Sequence, residues 1–385
     1  MSKTSVIKLS QQALQNNIDF LKTHMGDVKI SSVVKGNAYG HSIRHFVPMA
    51  EECGIEHFSV FSGDEAREVK SVSGRNTDVM IMGFMTDEDI EWAVQQEVSF
   101  FVFEMGRVRK AIIAAQNSGK LAKIHIELET GFNRTGFEEH MLEALADILV
   151  THKSHVTIEG VCTHFAGAES VANHVRVTRQ LAQFHRLTAL LKEMGINAQI
   201  HHTACSAASM IYPETRMDMV RIGILQYGFW PGKEVFIDFL AKQENQEDKR
   251  DPLKRVLTWR SSVMAVKSVK TGEFVGYGTS YLAEQDIRVA TIPVGYAHGY
   301  SRALSNQGRV LIRDHRLGII GIINMNASMV DVSELDEVYP GDEVTLIGGA
   351  GDKEISVSSF GELSNQLNYE LLTRLPHSIE RIVVK

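Results

Sequence analysis

Lys29-Ile-Ser-Ser-Val-Val-Lys-Gly-Asn-Ala-Tyr-Gly-His41 begins as an apolar strand, Lys29–Val34, which meets Lys35 and runs into a loop bracketed by Gly36 and Gly40. Seven further short runs follow: His57–Phe61, Asp78–Met82, Ser99–Phe103, Lys123–Leu128, Thr157–Thr163, Gln199–His202 and Val220–Ile224. Between them lie amphipathic segments such as Arg107–Gln116, Glu138–Val150 and Val175–Met194, with apolar residues at helical spacing. This alternation predicts parallel strands joined by right-handed crossovers. Eight strands with intervening helices point to an α/β fold, a (β/α)8 barrel of the TIM type over residues 1–232. An open doubly wound sheet is the other architecture that this order allows.

After Pro231 the character changes. Residues 233–255 read as a polar insertion or linker, with the charged run Gln243–Asp251 at its centre. From residue 256 to 385, strand-like runs dominate: Ser262–Val269, Ile287–Val294, Val310–Ile312, Leu317–Ile323, Met329–Val332 and Glu343–Ile347. Turn signals at Lys270-Thr-Gly-Glu and Pro340-Gly-Asp separate them, which makes this a C-terminal, mostly-β domain. One late helix, Ser359–Leu375, precedes a last strand, Ile379–Val384. The first strand or the last residues of the chain can pack with the other domain.

Composition narrows the function classes. The 385 residues include 47 acidic and 40 basic side chains, and a net charge of −7 argues against a nucleic-acid partner. No apolar run is long enough to span a membrane. Met1–Asp19 is polar and lacks the apolar core of a signal peptide, so a cytoplasmic protein is expected. Cys53, Cys162 and Cys205 form no CxxC pair, which argues against a disulfide framework or structural zinc. No metal-ligand cluster stands out, and His201–His202 reads as a satisfied structural pair.

In a βα-barrel the C-terminal strand ends form the active face. Lys35 stands at such an end, where an amine can form a Schiff base with a carbonyl compound or pyridoxal phosphate. A lysine leaving the sheet edge for solvent is the plain alternative. Arg134 lies in Glu129-Thr-Gly-Phe-Asn-Arg-Thr-Gly136, His164 follows Cys162-Thr163, and Ser206 lies in His201-His-Thr-Ala-Cys-Ser-Ala207. Arg221 lies in the last barrel strand, with Gly223 two residues on. Singly, His164 could be a core histidine, Arg134 a surface fork and Ser206 a helix N-cap. In a barrel they converge with Lys35 on one face.

Val34-Lys-Gly-Asn-Ala-Tyr-Gly-His41 resembles the cofactor-lysine motif of bacterial alanine racemases. The likeness continues through Thr130-Gly-Phe-Asn-Arg-Thr-Gly136, Thr163-His-Phe-Ala166, Arg221-Ile-Gly223, Tyr227-Gly228, Gly276-Tyr-Gly278, Val294-Gly-Tyr-Ala-His-Gly-Tyr300 and Asn368-Tyr-Glu370. The ordered set spans nearly the whole chain, which thus resembles a divergent member of this fold-type III family. The resemblance implies a barrel that holds pyridoxal 5'-phosphate, a β domain, and a homodimer with shared active sites. It implies an isomerase that interconverts L- and D-alanine, usually to supply peptidoglycan. By position, Lys35 is the Schiff-base lysine and one of two bases; Tyr296, contributed by the partner subunit, is the other. Tyr39, Ser206, Tyr369 and the backbone at Gly223 and Ile224 would bind the cofactor phosphate. Arg221 would face the pyridine nitrogen, with His164 supporting it and Tyr296. Arg134 and the backbone at Met325 would hold the substrate carboxylate.

That chemistry suits these groups. Two bases on opposite faces of a planar adduct allow transfer either way, each worth roughly 10²–10⁴-fold. The lysine must be partly neutral, and the tyrosine needs positive neighbours to stabilise its phenolate. An arginine at the pyridine nitrogen disfavours its protonation and would suppress transamination.

The chain also departs from the family. A lysine, often carbamylated, is replaced by Glu127, which could supply the negative charge that orients Arg134; the usual Asp is Glu129. Asn326 and Ala327 replace an Asp-Gln pair, Cys205 an Asn, His298 an Asp and Ile222 a Pro. Cys205 reads as a packing residue rather than a reactive thiol. These changes leave the substrate open. A racemase for serine or a larger side chain is one alternative, and a pyridoxal-phosphate lyase or decarboxylase is another. Retention of both Lys35 and Tyr296 favours racemisation.

Overall fold

The computed structural model describes residues 4–75, 77–243, 250–350, 352–357 and 368–385. The core of the expected loop Gln243–Asp251 and residues 359–367 of the expected late helix lie outside the described residues. The chain divides into two compact units. One comprises Ala13–Ala38 and Phe46–Lys254, the other Met1–Gln12, Tyr39–His45 and Arg255–Lys385.

Strand β1 (Ser5–Ser10) opens the chain and belongs to the second unit. The first unit carries β2 (Lys29–Val33), β3 (His57–Val60), β4 (Asp78–Ile81), β5 (Ser99–Val102), β6 (Ala122–Glu127), β7 (Val156–Cys162), β8 (Ile200–His202) and β9 (Met219–Ile222). Each strand from β2 to β7 pairs with the next, β9 returns to pair with β2, and every pair is parallel. Sparser contacts join β8 to β9. They are a bridge between Cys205 and Arg221 and backbone bonds from Asp218 to His201 and from Arg221 to Ala204, at 3.1 and 3.0 Å. The result is a nearly closed eight-stranded barrel. Strands β3 and β5 are buried along their whole length, which is why they read as unbroken apolar runs.

Local signals set the helix starts. Ser62 caps Gly63–Val72 through the Glu65 amide, and Thr86 and Asp89 form a reciprocal capping box on Asp87–Gln95. Glu104 caps Met105–Ser118, which ends on Gly119 at φ 67°. Each cap contributes about 1 kcal/mol.

The second unit holds β10 (Leu257–Ser262), β11 (Ala265–Val269), β12 (Ile287–Ile292), β13 (Arg309–Ile312), β14 (His315–Ile320), β15 (Ser328–Asp331), β16 (Glu343–Ala350), β17 (Lys353–Ile355) and β18 (Glu380–Val384). Their order is β11-β12-β15-β14-β13-β16-β10-β1-β18, with β17 beside β16. β1 lies antiparallel to β10 and parallel to β18, with Ile7 and Leu9 wholly buried. Residues 5–10, the first strand of the chain, thus belong to the sheet of the β unit. The expected strand Ser262–Val269 is in fact two strands. The backbone of Val263 and Met264 turns to Asp342 and Thr291, so the chain changes pairing partner there.

Within 233–255, Lys233–Ala241 is a helix. The described end of that segment is fastened to the helix Gln11–Met25. Asn17 accepts from the Lys254 amide at 2.7 Å and donates to its carbonyl at 2.7 Å. Among the described residues no helix is long and apolar enough to cross a membrane.

Candidate active site

The chain leaves β2 at Val33 and enters an unusual turn. Gly36, Asn37, Ala38, Tyr39 and Gly40 all hold left-handed backbone, with φ of 62°, 53°, 53°, 50° and 79°. Such a conformation costs an L-residue roughly 1–2 kcal/mol, and it persists only where surroundings over-determine it. Here the Glu65 carboxylate accepts from the Gly36 amide at 2.7 Å and from the Phe61 amide at 2.8 Å. Ala38 donates to the Val34 carbonyl at 2.7 Å. Within the β unit, a Cβ on Gly40 would lie 1.9 Å from the Leu372 carbonyl oxygen, so only glycine fits there. Below the turn, Gln226 Nε2 and Tyr227 Oη both donate to the Val33 carbonyl at 3.0 Å, which anchors the strand end carrying Lys35.

Lys35 is reached by solvent, yet the barrel mouth strips much water from its amine. That desolvation, followed by repulsion from Arg134 and then Arg221, pushes its pKa below the usual lysine range, against a pull from Cys205 and Glu65. Ser206 opens the helix Ser206–Ile211 and accepts the Gly223 amide on Oγ at 2.9 Å, leaving its hydroxyl hydrogen to donate elsewhere. Ile224 follows at the start of a short 3₁₀ turn.

Arg221 points its guanidinium into the barrel and is buried. Nη1 donates to His202 Nδ1 at 2.6 Å and the His202 carbonyl at 2.8 Å; Nη2 donates to the carbonyls of Thr163 and Thr203 at 2.8 and 3.2 Å. Four of the five N–H donors are thus engaged, and no acceptor for Nε–H is found among the described residues. His164 lies on the same face. Desolvation, then Arg221, Arg134 and Lys35, push it down to about 3, so it is neutral at ordinary pH.

Arg134 is exposed and stacks over Phe132, with Cζ 4.3 Å from the ring centroid; Phe132 in turn lies 5.4 Å from His164. Glu127 does not pair with Arg134. Its carboxylate is buried at the end of β6 and accepts from Thr135 Oγ1 at 2.8 Å. Burial raises its pKa, while Thr135, Arg134 and Arg221 oppose the rise. The contact of the Glu127 carboxylate is thus with Thr135, the chain neighbour of Arg134, and not with Arg134 itself. Glu129 folds the loop itself, accepting the amides of Gly131 and Asn133.

The barrel thus brings together Lys35, Glu127, Arg134, His164, Ser206, Arg221, Gly223 and Ile224 at the C-terminal ends of β2, β6, β7, β8 and β9. The β unit brings together two other predicted pairs. Tyr39 and Tyr369 lie with ring centroids 6.0 Å apart. Tyr296 and Met325 share a pinned loop, in which Ala297 donates to the Met325 carbonyl at 2.9 Å and Tyr296 to that of Asn324 at 3.1 Å. Both side chains are exposed, at 44% and 57%. Glu65, Gln226 and His202 carried no assigned role in the sequence. The Ser62–Glu65 spacing marks a helix start, but nothing local signals that Glu65 reaches back to Gly36. The pair His201–His202 splits: His202 is buried against Arg221, whereas His201 lies 3.4 Å from Asp218 near the surface.

A desolvated amine, a hydroxyl beside backbone amides, and a buried arginine with one open N–H suit a carbonyl compound that carries an anionic group. The comparisons with known proteins point the same way. The model for the N-terminal domain of alanine racemase matches residues 9–231, and that for the C-terminal domain matches residues 256–383. An alanine racemase of Clostridium perfringens is 33% identical over 376 residues, covering 97% of this chain and 93% of that one. The crystal structure of an alanine racemase from Streptomyces lavendulae superposes with a TM-score of 0.91 at 27% identity, covering 100% of this chain and 98% of that one. The structure of the Bartonella henselae enzyme, with covalently bound pyridoxal phosphate, gives 0.84 at 26% identity and full coverage of both chains. Two family models covering both units, with full-length relatives on the same fold, place this chain in the alanine racemase family.

Proposed function

We propose that this chain interconverts L- and D-alanine, with pyridoxal 5'-phosphate as cofactor and with Lys35 and the Tyr296 of a second copy as opposed bases. The observation that carries the reading is Lys35 at the end of β2, its amine depressed by desolvation and two arginines, on the barrel face that also holds Ser206, Gly223 and Arg221. The donor set fits this cofactor. Ser206 retains a hydroxyl hydrogen for a phosphate, and the Nε–H of Arg221 suits a ring nitrogen. The pyridoxal phosphate bound covalently in the Bartonella relative supports the same choice.

When bound, pyridoxal phosphate supplies an electron sink for the α-carbon. Ser206, with its free hydroxyl hydrogen, and the amide of Ile224 would hold the phosphate, while the Gly223 amide orients Ser206; the family resemblance adds Tyr39, Tyr369 and the backbone at Gly223. Arg221 would donate to the ring nitrogen and, being unable to release its own proton, would disfavour protonation there. Arg134 holds the substrate carboxylate, with the Met325 backbone. Lys35 Nζ, made partly neutral by its depressed pKa, takes or returns the α-proton on one face. The exposed Tyr296 serves the opposite face from a second copy, which makes the working unit a homodimer. His164 stays neutral and adds no competing charge. D-alanine for the cell wall, made in the cytoplasm, is the role such an activity serves.

The test is incubation with each L-amino acid and pyridoxal phosphate in deuterium oxide, followed by chiral chromatography and mass detection. D-alanine formed fastest, with α-deuterium, is the expected result. Faster turnover of serine or a larger residue would move the substrate assignment. Exchange without inversion would remove Tyr296 as second base, and no exchange with any amino acid would end the racemase reading.

A further inference from the structure

Arg221 does not end its contacts at His202. His202 Nε2 lies 3.0 Å from His125 Nδ1, His125 Nε2 lies 3.2 Å from Ser99 Oγ, and Ser99 Oγ donates to the Val79 carbonyl at 3.3 Å. All four side chains are buried. The line runs along the barrel interior from the face that carries Lys35 to a cavity at the opposite end, lined by Ser99 and His125 with Lys29, His57, Asp78 and Lys123.

The proton order along this line is determined at one end. An arginine only donates, so His202 Nδ1 must be bare. The hydrogen of His202 is then on Nε2 and points at His125 Nδ1, which must be bare in turn. His125 carries its hydrogen on Nε2 and donates to Ser99, whose hydroxyl donates to Val79. Every member is satisfied in this direction, and the reverse order would require arginine to accept. Both imidazoles are neutral: burial holds them well below the usual histidine range, and Arg221 adds to the effect on each.

The backbone is built around this line. The pairing of β6 with β7 shifts register between Ile124 and His125, so that Glu159 is an extra residue and Gly160 faces His125. A Cβ at Gly160 would lie 2.5 Å from His125 Nδ1 and 3.1 Å from His202 Nε2, so glycine makes the room that the imidazole pair fills. Phe101 packs against both rings, at 6.0 and 5.8 Å between centroids.

We propose that His125 is a positioning residue for Arg221: acting through His202, it sets the direction in which the guanidinium offers its open Nε–H. The role rests on the reading of Arg221 as the partner of the cofactor ring nitrogen. His125 touches neither substrate nor cofactor. Removing its acceptor leaves the Nε2–H of the fully buried His202 without its partner, and His202 and the Nη1 arm that it accepts from must both shift.

The experiment compares His125→Phe, Ser99→Ala, His125→Gln and, as control, Lys123→Ala. Lys123 lines the lower cavity outside the relay. The readouts are the dissociation constant for pyridoxal phosphate, the pH dependence of the bound cofactor's absorbance, and ¹⁵N shifts of the histidines in the holoenzyme. The expected result is weaker cofactor binding by about tenfold for H125F and about threefold for S99A, with an altered absorbance profile. H125Q, whose amide can accept from His202 and donate to Ser99, recovers most of the loss; K123A leaves the affinity unchanged. Should H125F not fold, S99A carries the test alone, from the far end of the barrel. A lower melting temperature with unaltered affinity and spectrum overturns the proposal, and so does a protonated His202 Nδ1. If the unaltered protein binds no pyridoxal phosphate, the cofactor assignment has failed, while the ¹⁵N shifts still decide the proton order.

Discussion

The polar axis of the barrel and a core cluster of the β unit are built on opposite principles. Down the barrel run Ser31, His57, Ser59, Ser99, His125, His202 and Arg221, all buried. Their partners are supplied by one another, with His57 Nδ1 on Ser31 Oγ at 2.8 Å and Ser31 on Ser59 in turn. A core cluster of the β unit is aliphatic throughout: Val269, Val275, Ala283, Ile287, Val289, Ile320 and Met329. An apolar core is the cheaper way to fold, because each buried polar group must recover its lost hydration. The barrel tolerates a polar axis because that axis ends in Arg221 on the face that carries Lys35. The comparison teaches that the two units answer to different demands, orientation in one and cohesion in the other.

The comparison breaks most visibly at Lys35. Lys35→Ala should lower racemisation by at least about 10³-fold with little change in melting temperature, since the side chain lies at the open barrel mouth. A chain that unfolds instead would make Lys35 a structural residue. Tyr296→Phe should cost about 10²-fold or more in inversion while α-deuterium exchange from the lysine face persists; equal loss of both would mean that the tyrosine does not act as a separate base. The converse holds in the β unit. Ile7→Ala removes a wholly buried side chain and should cost about 2–5 kcal/mol in denaturant unfolding, with the rate per folded molecule unchanged. A small loss would show that β1 contributes little to its sheet.

Acid separates the two interiors further. Burial, with Lys29 adding, holds His57 down at about 3, and His125 and His202 lie well below their usual range. In the unfolded chain all three take up protons near pH 6.5. Their neutral burial is therefore without cost above about pH 6.5, and stability falls as the pH drops from there toward 3. His57 contributes about 1.4 kcal/mol per pH unit across that window, and His125 and His202 act in the same direction. Unfolding midpoints between pH 7.5 and 5 should show this slope, and its absence would mean that the folded barrel admits the charge. The smallest effect is expected at Glu127. Glu127→Gln keeps an acceptor for Thr135 but removes the charge that Arg134 feels, so KM for alanine should rise about threefold with kcat nearly constant. An unchanged KM would leave Glu127 as a packing residue only.

Much of the barrel was legible because its strands are short apolar runs buried on both faces, so composition alone marks them. All eight expected runs are strands, with ends differing by one or two residues. The β unit was read less well. β10, with Trp259 and Arg260 inside it, does not look like an apolar run, and β1 alternates too mildly to announce a sheet partner 250 residues away. The break at Val263–Met264 follows from a change of pairing partner, which one strand's sequence does not record. Likewise, the expected tie between Glu127 and Arg134 rests on the family resemblance, whereas the fold turns Arg134 onto Phe132 and Glu127 onto Thr135.

The strand–helix alternation, the polar residues at strand ends and the motifs that carry the family likeness are all readable from the chain alone. Each of these is written in residues close along the chain, where periodicity and turn chemistry act. It took the folded barrel to make Glu65 pin the left-handed turn after Lys35, His202 rather than His201 meet Arg221, and Gly160 leave room for His125. Those contacts join residues far apart in the chain. They form because barrel closure buries polar groups that must then find partners among whatever the neighbouring strands present.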